Sequence, residues 1–156
     1  MVKNKENFEK SLCRVIGTER ILTQEPMGRH TTFRVGGPAE YYLTPRGEEL
    51  ADVIKLCREQ EVSYILIGNG SNLLVPDKGI RGAVIEVGKE MAQIRVEDNR
   101  IHAQAGALLS KTANAALEAG LTGMEFAAGI PGCIGGAVVM LSLIHISEPT
   151  RQEAIS

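Results

Sequence analysis

The chain has no tryptophan, and only three phenylalanines and three tyrosines in 156 residues. A core with so few rings must be packed mainly from aliphatic side chains. Cysteine is scarce as well. Cys13, Cys57 and Cys133 are odd in number and widely spaced without pattern. That argues against a disulfide framework or a zinc site, and fits three unrelated thiols in a reducing cytoplasm. Charge of one sign is not in excess: the formal net charge is −2 and both signs are scattered. Neither nucleic acid nor an anionic membrane is expected as the main partner. No apolar run reaches the roughly 18–20 residues of a membrane span. The opening MVKNKENFEKSL lacks the apolar core and small-residue cleavage site of a signal peptide. There is no internal repeat and no low-complexity linker. What remains, 44% hydrophobic and 23% charged residues in a domain-sized chain, describes an ordinary soluble globular protein.

Periodicity then gives the elements. Phe8, Leu12, Val15 and Ile16 recur at helical spacing and predict a short amphipathic helix over 4–16, an N-terminal extension ending near residue 20. TTFRVGGPAEYYL (31–43), broken by Gly36, Gly37 and Pro38, reads as two extended pieces around a turn. Leu50, Val53, Ile54 and Cys57 stand at i, i+3, i+4 and i+7 of a helix over 47–60, with Glu48 and Glu49 in its first turn. VSYILI (62–67) is a short apolar strand, so 39–67 forms a parallel strand–helix–strand unit. GAVIEV (82–87) is a further strand. AQIRVE and RIHAQA alternate across Asp98-Asn99 as a hairpin. Leu109, Ala113, Ala116 and Leu117 line one face of a helix over 107–119, closed by Gly120. The order implies a mixed α/β or α+β fold and not an all-parallel doubly wound sheet.

Two glycine-rich loops stand out. In ILIGNGSNLLVPD (65–77) a strand runs into Gly68, Asn69, Gly70, Ser71 and Asn72, with a β-like run Leu73-Leu74-Val75 after it. Small residues in succession let backbone N–H groups converge on an anion such as a pyrophosphate. No Gly-Lys-Ser/Thr is present, so this is not a Walker A loop, and Leu73 replaces the third glycine of a Rossmann fingerprint. In AAGIPGCIGGAVVM (127–140), Ile130-Pro131-Gly132-Cys133 has the composition of a type II turn. Gly135-Gly136-Ala137 leave bare backbone against which a flat ligand could lie. Each loop could equally be plain structure, a turn in one case and a chain crossing in the other. Two such loops without a metal cluster or a catalytic triad favour a large phosphate-bearing cofactor.

HTTFRVGGPAEYYL, ILIGNGSNLLVPDKGIRGAVIEV and AGALLSKTANAALEAGLTGMEFAAGIPGCIGGAVVM together resemble one family, the UDP-N-acetylenolpyruvoylglucosamine reductases (UDP-N-acetylmuramate dehydrogenases) of bacterial peptidoglycan synthesis. The match runs in order over about residues 20–140. The resemblance implies an FAD-binding fold of the vanillyl-alcohol-oxidase/p-cresol methylhydroxylase type, with two subdomains holding FAD between them. It implies a cytoplasmic enzyme in which NADPH reduces the flavin and the enolpyruvyl double bond of a UDP-sugar is reduced in turn. By the same resemblance Gly68, Asn69, Gly70, Ser71, Asn72 and Leu73 wrap the FAD pyrophosphate. Ala128, Gly129, Ile130, Pro131, Gly132, Gly135, Gly136 and Ala137 line the flavin and its ribityl chain. Val35-Gly36-Gly37 matches the signature near the cofactor.

The family's catalytic arginine, proton-donating serine and late glutamate all correspond to sequence beyond Met140, so no catalytic residue is assigned and the chain by itself is expected to be inactive. His30 and His102 are conceivable bases or covalent flavin anchors, but both read as solvent-facing. Arg34 could touch a phosphate and reads more simply as a surface arginine, while Lys78 and Arg81 read as solvated. Another flavin oxidoreductase of the same fold, or a non-catalytic nucleotide-binding module, remains open. At Met140 the family pattern stops. LSLIHISEPTR (141–151) resembles translated transposase-adapter text, with QEAIS adjoining it. Residues 21–140 are therefore expected to be the incomplete FAD-binding domain and 141–156 to be foreign. Resequencing the source locus is expected to show different codons from Leu141 onward, and an intact genomic Leu141–Ser156 would overturn that expectation.

Overall fold

The structure is a computed structural model that describes residues 5–147. Helix α1 (Lys5–Ile16) turns Phe8, Leu12 and Ile16 inward, all fully buried. It leads to β1 (Ile21–Pro26), a short helical turn at Met27–Arg29, and β2 (Pro38–Leu43). Helix α2 (Gly47–Glu59), β3 (Tyr64–Ile67) and β4 (Ile80–Glu86) follow. The Glu49 carboxylate accepts from the Arg46 N–H (2.8 Å), satisfying a donor at the start of α2.

These four strands form one sheet in the order β1-β2-β4-β3. β2, β4 and β3 run parallel and β1 is antiparallel to β2. The expected strand–helix–strand unit is present, with β4 inserted between its two strands. β1 itself escaped the sequence reading because ILTQEP has no clean alternation and ends in proline. Only the second half of 31–43 is a strand. Residues 31–34 instead make a turn in which the Arg34 N–H donates to Thr31 O (3.2 Å).

Both faces of the sheet are covered, which is why PAEYYL is buried at five successive positions. Tyr41, Leu43, Ala83 and Ile85 face α1 and α2, together with Phe8, Leu12, Val53 and Cys57. Phe8 meets Tyr41 edge-to-face with centroids 5.3 Å apart. Burial pushes the Cys57 thiol up to about 11, as for an inert core residue. The three cysteines are free. Ala39, Tyr42, Val84 and Ile67 face the opposite way, onto Met27 and Val75. Burial raises the Glu40 carboxyl, but the Lys5 ammonium (2.8 Å) and the Gly82 N–H (3.0 Å) outweigh it and hold the group below its ordinary range.

The second half is smaller. β5 (Ile94–Glu97) and β6 (Arg100–Ala103) pair as the expected hairpin, with Asp98 at φ 53° in the link. Helix α3 (Leu109–Glu118) buries Leu109, Ala113 and Ala116. Leu117, expected on the same face, is instead 76% exposed, one residue past the stripe. Gly120 (φ 68°) caps the helix: its N–H donates to Leu117 O (3.0 Å) and that of Leu121 to Ala116 O (2.9 Å), a Schellman pair. A helical turn at Glu125–Gly129 and helix α4 (Ile134–Ser147) complete the chain. α4 crosses Met140 without a break. The remainder of the tail judged foreign, 148–156, lies outside the described residues. Among the described residues no helix is long and apolar enough to cross a membrane.

Phe8→Ala is expected to lower the unfolding free energy by about 3–5 kcal/mol. The reading is a reduced urea midpoint at unchanged slope. Lys10→Ala, in an exposed pair with Glu6, is expected to leave that midpoint in place.

Candidate functional site

β2, β3 and β4 are parallel and end on the same side of the sheet, where open α/β sheets hold ligands. The first glycine loop leaves β3 at this end. It is not followed by a strand: residues 68–79 are irregular, because Leu73 and Val75 turn into the second core and Leu74 is left 72% exposed. Val75 pins the loop to the sheet.

The chain before β2 braces this loop from the other side. The Thr32 N–H donates to Gly70 O (3.1 Å) and the Gly37 N–H to Pro76 O (3.1 Å). Gly70 has φ 62°, and a Cβ there would stand 2.0 Å from His30 O. A Cβ on Gly37 would stand 1.9 Å from Asp77 O, and one on Gly36 2.8 Å from the Val75 Cβ. Gly36 and Gly37, expected near a cofactor, are thus required by close packing on the first loop.

Held in this way, the loop leaves donors open. Among the described residues the N–H groups of Asn69, Gly70, Ser71 and Asn72 have no acceptor, whereas that of Leu73 closes a turn on Gly70 O. Four consecutive unpaired N–H groups in a tight loop are the kind of feature from which anion-binding concavities are built, since a lone pair from a phosphate oxygen satisfies what the fold does not.

The second loop meets the first directly. The Ser71 hydroxyl donates to Pro131 O (3.2 Å), and a Cβ on Gly68 would lie 2.3 Å from the Cys133 Sγ. Ile130-Pro131-Gly132-Cys133 is not the type II turn its composition suggested. Gly132 has φ 151°, and the segment is extended because Cys133 bridges Leu108 while the Leu109 N–H donates to Gly132 O (3.0 Å). Gly135, Gly136 and Ala137 are likewise not open backbone but the first turn of α4. The Ile134 N–H donates to Ala107 O (2.8 Å) and the Gly135 N–H to Ala105 O (2.7 Å). The Gly136 N–H is the first-turn donor left without an acceptor among the described residues, and Ala137 packs beside Leu109 and Ala113. Ala128, Gly129, Ile130 and Pro131 are exposed beside the first loop. Gly129 has no atom within 4 Å of a Cβ built on it and no positive φ, so the fold itself does not require glycine there.

On the other side of the first loop lies an open cavity of about 400 Å³, lined among others by Arg29, His30, Arg34, Asn69 and Glu86. Sequence reasoning placed His30 in solvent. It is instead mostly buried, 3.0 Å from the Glu25 carboxylate and stacked on Tyr42. Tyr42 and Glu86 were missed, because on a doubly covered strand a ring that lines a cavity looks like any core residue. Burial and the Glu86 carboxylate push the Tyr42 phenol upward, so it stays protonated and donates to Glu86 Oε2 (2.8 Å). Arg34, at φ 55°, is exposed at this cavity. Lys78 and Arg81 are exposed, and His102 is exposed on the hairpin near Glu97. Among the described residues no cluster of three potential metal ligands occurs.

A doubly covered parallel sheet, an N–H-rich loop at its carboxyl end and a second loop against it together define a nucleotide-cofactor-binding protein. Residues 39–149 match the family described as FAD binding domain, and the chain belongs to that family. Over 136 residues it is 49% identical to the UDP-N-acetylenolpyruvoylglucosamine reductase of Clostridium botulinum (strain Hall), covering 86% of this chain and 44% of that protein. Its structure is similar to that of UDP-N-acetylenolpyruvylglucosamine reductase from Thermus caldophilus, with a TM-score of 0.58 and 37% identity over 76% of this chain and 40% of that one. The likeness to p-cresol methylhydroxylase, TM-score 0.57 over 75% of this chain and 25% of that one at 14% identity, concerns the fold alone. The expected family and fold are borne out. The chain spans less than half the length of the reductases it matches.

Two substitutions separate glycines the fold requires from one it does not. Gly70→Ala is expected to destabilise by about 1–3 kcal/mol through its left-handed backbone, together with the clash on His30 O. Gly129→Ala is expected to leave the thermal unfolding midpoint unchanged. Circular dichroism melts compare the two.

Proposed function

We propose that this chain is the FAD-holding half of a reductase that converts UDP-N-acetylenolpyruvoylglucosamine to UDP-N-acetylmuramate with NADPH, in the cytoplasm, during peptidoglycan precursor synthesis. The observation that carries this reading is the row of unpaired N–H groups from Asn69 to Asn72, closed on one side by the Ser71–Pro131 contact. Those donors suit the two negative charges of a dinucleotide pyrophosphate. Gly68 permits the close approach of the second loop, and Ser71 ties the loops in register. Ala128–Gly132 border the ribityl and ring portion, where exposed Gly129 leaves space for a flat group. The open Gly136 N–H at the start of α4 adds a positive helix end.

When bound, the flavin supplies hydride transfer to the enolpyruvyl double bond. The residues of this chain bind and orient it, and the groups that contact the UDP-sugar and donate the proton are assigned to the part of the relatives that this chain does not cover. Ile65 (37%) and Leu66 (51%) on edge strand β3 and Val96 (37%) on the hairpin are exposed apolar side chains. Exposed apolar groups of this kind favour association, so the chain in isolation is expected to be poorly soluble.

Two titrations test the reading. The isolated chain is expected to quench FAD fluorescence saturably, with weaker quenching for Ser71→Ala and Gly129→Ala, and to show no NADPH oxidation. The complete reading frame is expected to consume NADPH only when UDP-N-acetylenolpyruvoylglucosamine is present. Saturable FAD binding without that substrate dependence would point to another flavin oxidoreductase of the same fold. No binding of FAD by the complete protein would overturn the reading.

A further inference from the structure

The cavity beside the first loop is bordered by a side-chain network for which pyrophosphate binding has no direct use, and His30, Tyr42 and Glu86 of that network line it. It joins three strands: Glu25 on β1, Tyr42 on β2 and Glu86 on β4, with His30 between the first two. His30 Nε2 lies 3.0 Å from Glu25 Oε1, and its ring stacks on Tyr42 with centroids 4.0 Å apart and 29° between planes. Tyr42 is held in turn by its hydroxyl on Glu86, 2.8 Å away. The His30 ring is thus fixed at its edge by a carboxylate and on its face by a ring that cannot itself rotate away.

The backbone of the same residue touches the loop. His30 O stands where a Cβ of Gly70 would be, and two residues on the Thr32 N–H donates to Gly70 O (3.1 Å). Gly70 is the second of the four unpaired donors. A shift in residues 30–32 would therefore move the donors around Gly70, while the far side of the loop stays tied by Val75 and by Gly37 on Pro76.

We propose that His30 is a positioning residue for the anion-binding loop: clamped by Glu25 and Tyr42, it sets the backbone that seats Gly70 and so aligns the Asn69–Asn72 donors without touching the bound phosphates. The proposal rests on the reading of that loop as a phosphate site. It assigns the 27–37 segment a role in cofactor affinity that passes through the loop, and it explains why a mostly buried histidine and the Tyr42–Glu86 pair line the cavity beside that loop.

The test uses the chain with His30→Ala and His30→Phe, the second keeping a ring on Tyr42 while losing the Glu25 partner. Two quantities are read: amide exchange of Thr32 against that of the central strand residues Ala83–Ile85, and affinity for ADP as a pyrophosphate-bearing probe. His30→Ala is expected to speed Thr32 exchange and weaken ADP each by about tenfold, with Ala83–Ile85 unchanged and His30→Phe intermediate in both. Parent-like Thr32 exchange in His30→Ala overturns the proposal, as does unchanged ADP affinity. Equal acceleration of Ala83–Ile85 overturns it too, since His30 would then be a general stability residue. If the unaltered chain shows no ADP binding, the phosphate-site reading falls, and the bracing of Gly70 is decided by Thr32 exchange alone.

Discussion

The structure depends on one close approach, the seating of residues 68–79 against residues 27–37. The two segments meet backbone to backbone. Gly70 lies under His30 O, Gly37 under Asp77 O and Gly79 under Pro38 O, at separations that leave no room for a Cβ. Because the segments are this close, the hydrogen bonds Thr32→Gly70 and Gly37→Pro76 can form, and the loop is held at both ends. Unpaired donors in a loop normally relax toward whatever acceptor is near. Here the bracing prevents that relaxation, so the Asn69–Asn72 donors remain available.

This bracing works only because the sheet beneath is rigid. β2 and β4 are buried on both faces, by α1 and α2 on one side and by Met27 and Val75 on the other. Val75 belongs to the loop, so the same side chain closes a core and anchors a site. The second half of the chain is tied to the first through small groups: the Cys133 Sγ fills the space a Gly68 side chain would take, and Ser71 bonds Pro131 O. The exchange of a glycine for any larger residue at that junction would separate the loops that the proposed cofactor needs together.

Much of this was legible in the sequence. The 3.6-residue stripes of α1 and α2, the Gly120 cap and the alternation around Asp98-Asn99 are local signals, and local signals were obeyed. Other readings failed for identifiable reasons. ILTQEP was not read as a strand because an edge strand needs only one good neighbour and tolerates proline. Leu73-Leu74-Val75 looked like a strand because its apolar residues were counted without asking where they point. Pro131-Gly132 looked like a closed turn, but its backbone groups were taken by Leu108 and Leu109 from another part of the chain. Gly135-Gly136-Ala137 looked like bare backbone and became a helix start, its first donors satisfied by Ala105 and Ala107.

By itself the sequence determined the helices, the hairpin, the place of both glycine loops and the family they resemble, because each is encoded in residues near one another in the chain. The tertiary structure decided what those glycines are for. Gly36, Gly37 and Gly70 prove to be contacts between distant segments, whereas Gly129 is free of any such demand. It alone also brought His30 between Glu25 and Tyr42 and placed Glu86 on the Tyr42 hydroxyl. Spacing in sequence cannot reveal a pairing across three strands, since which strands are neighbours is fixed by the packing of the whole sheet.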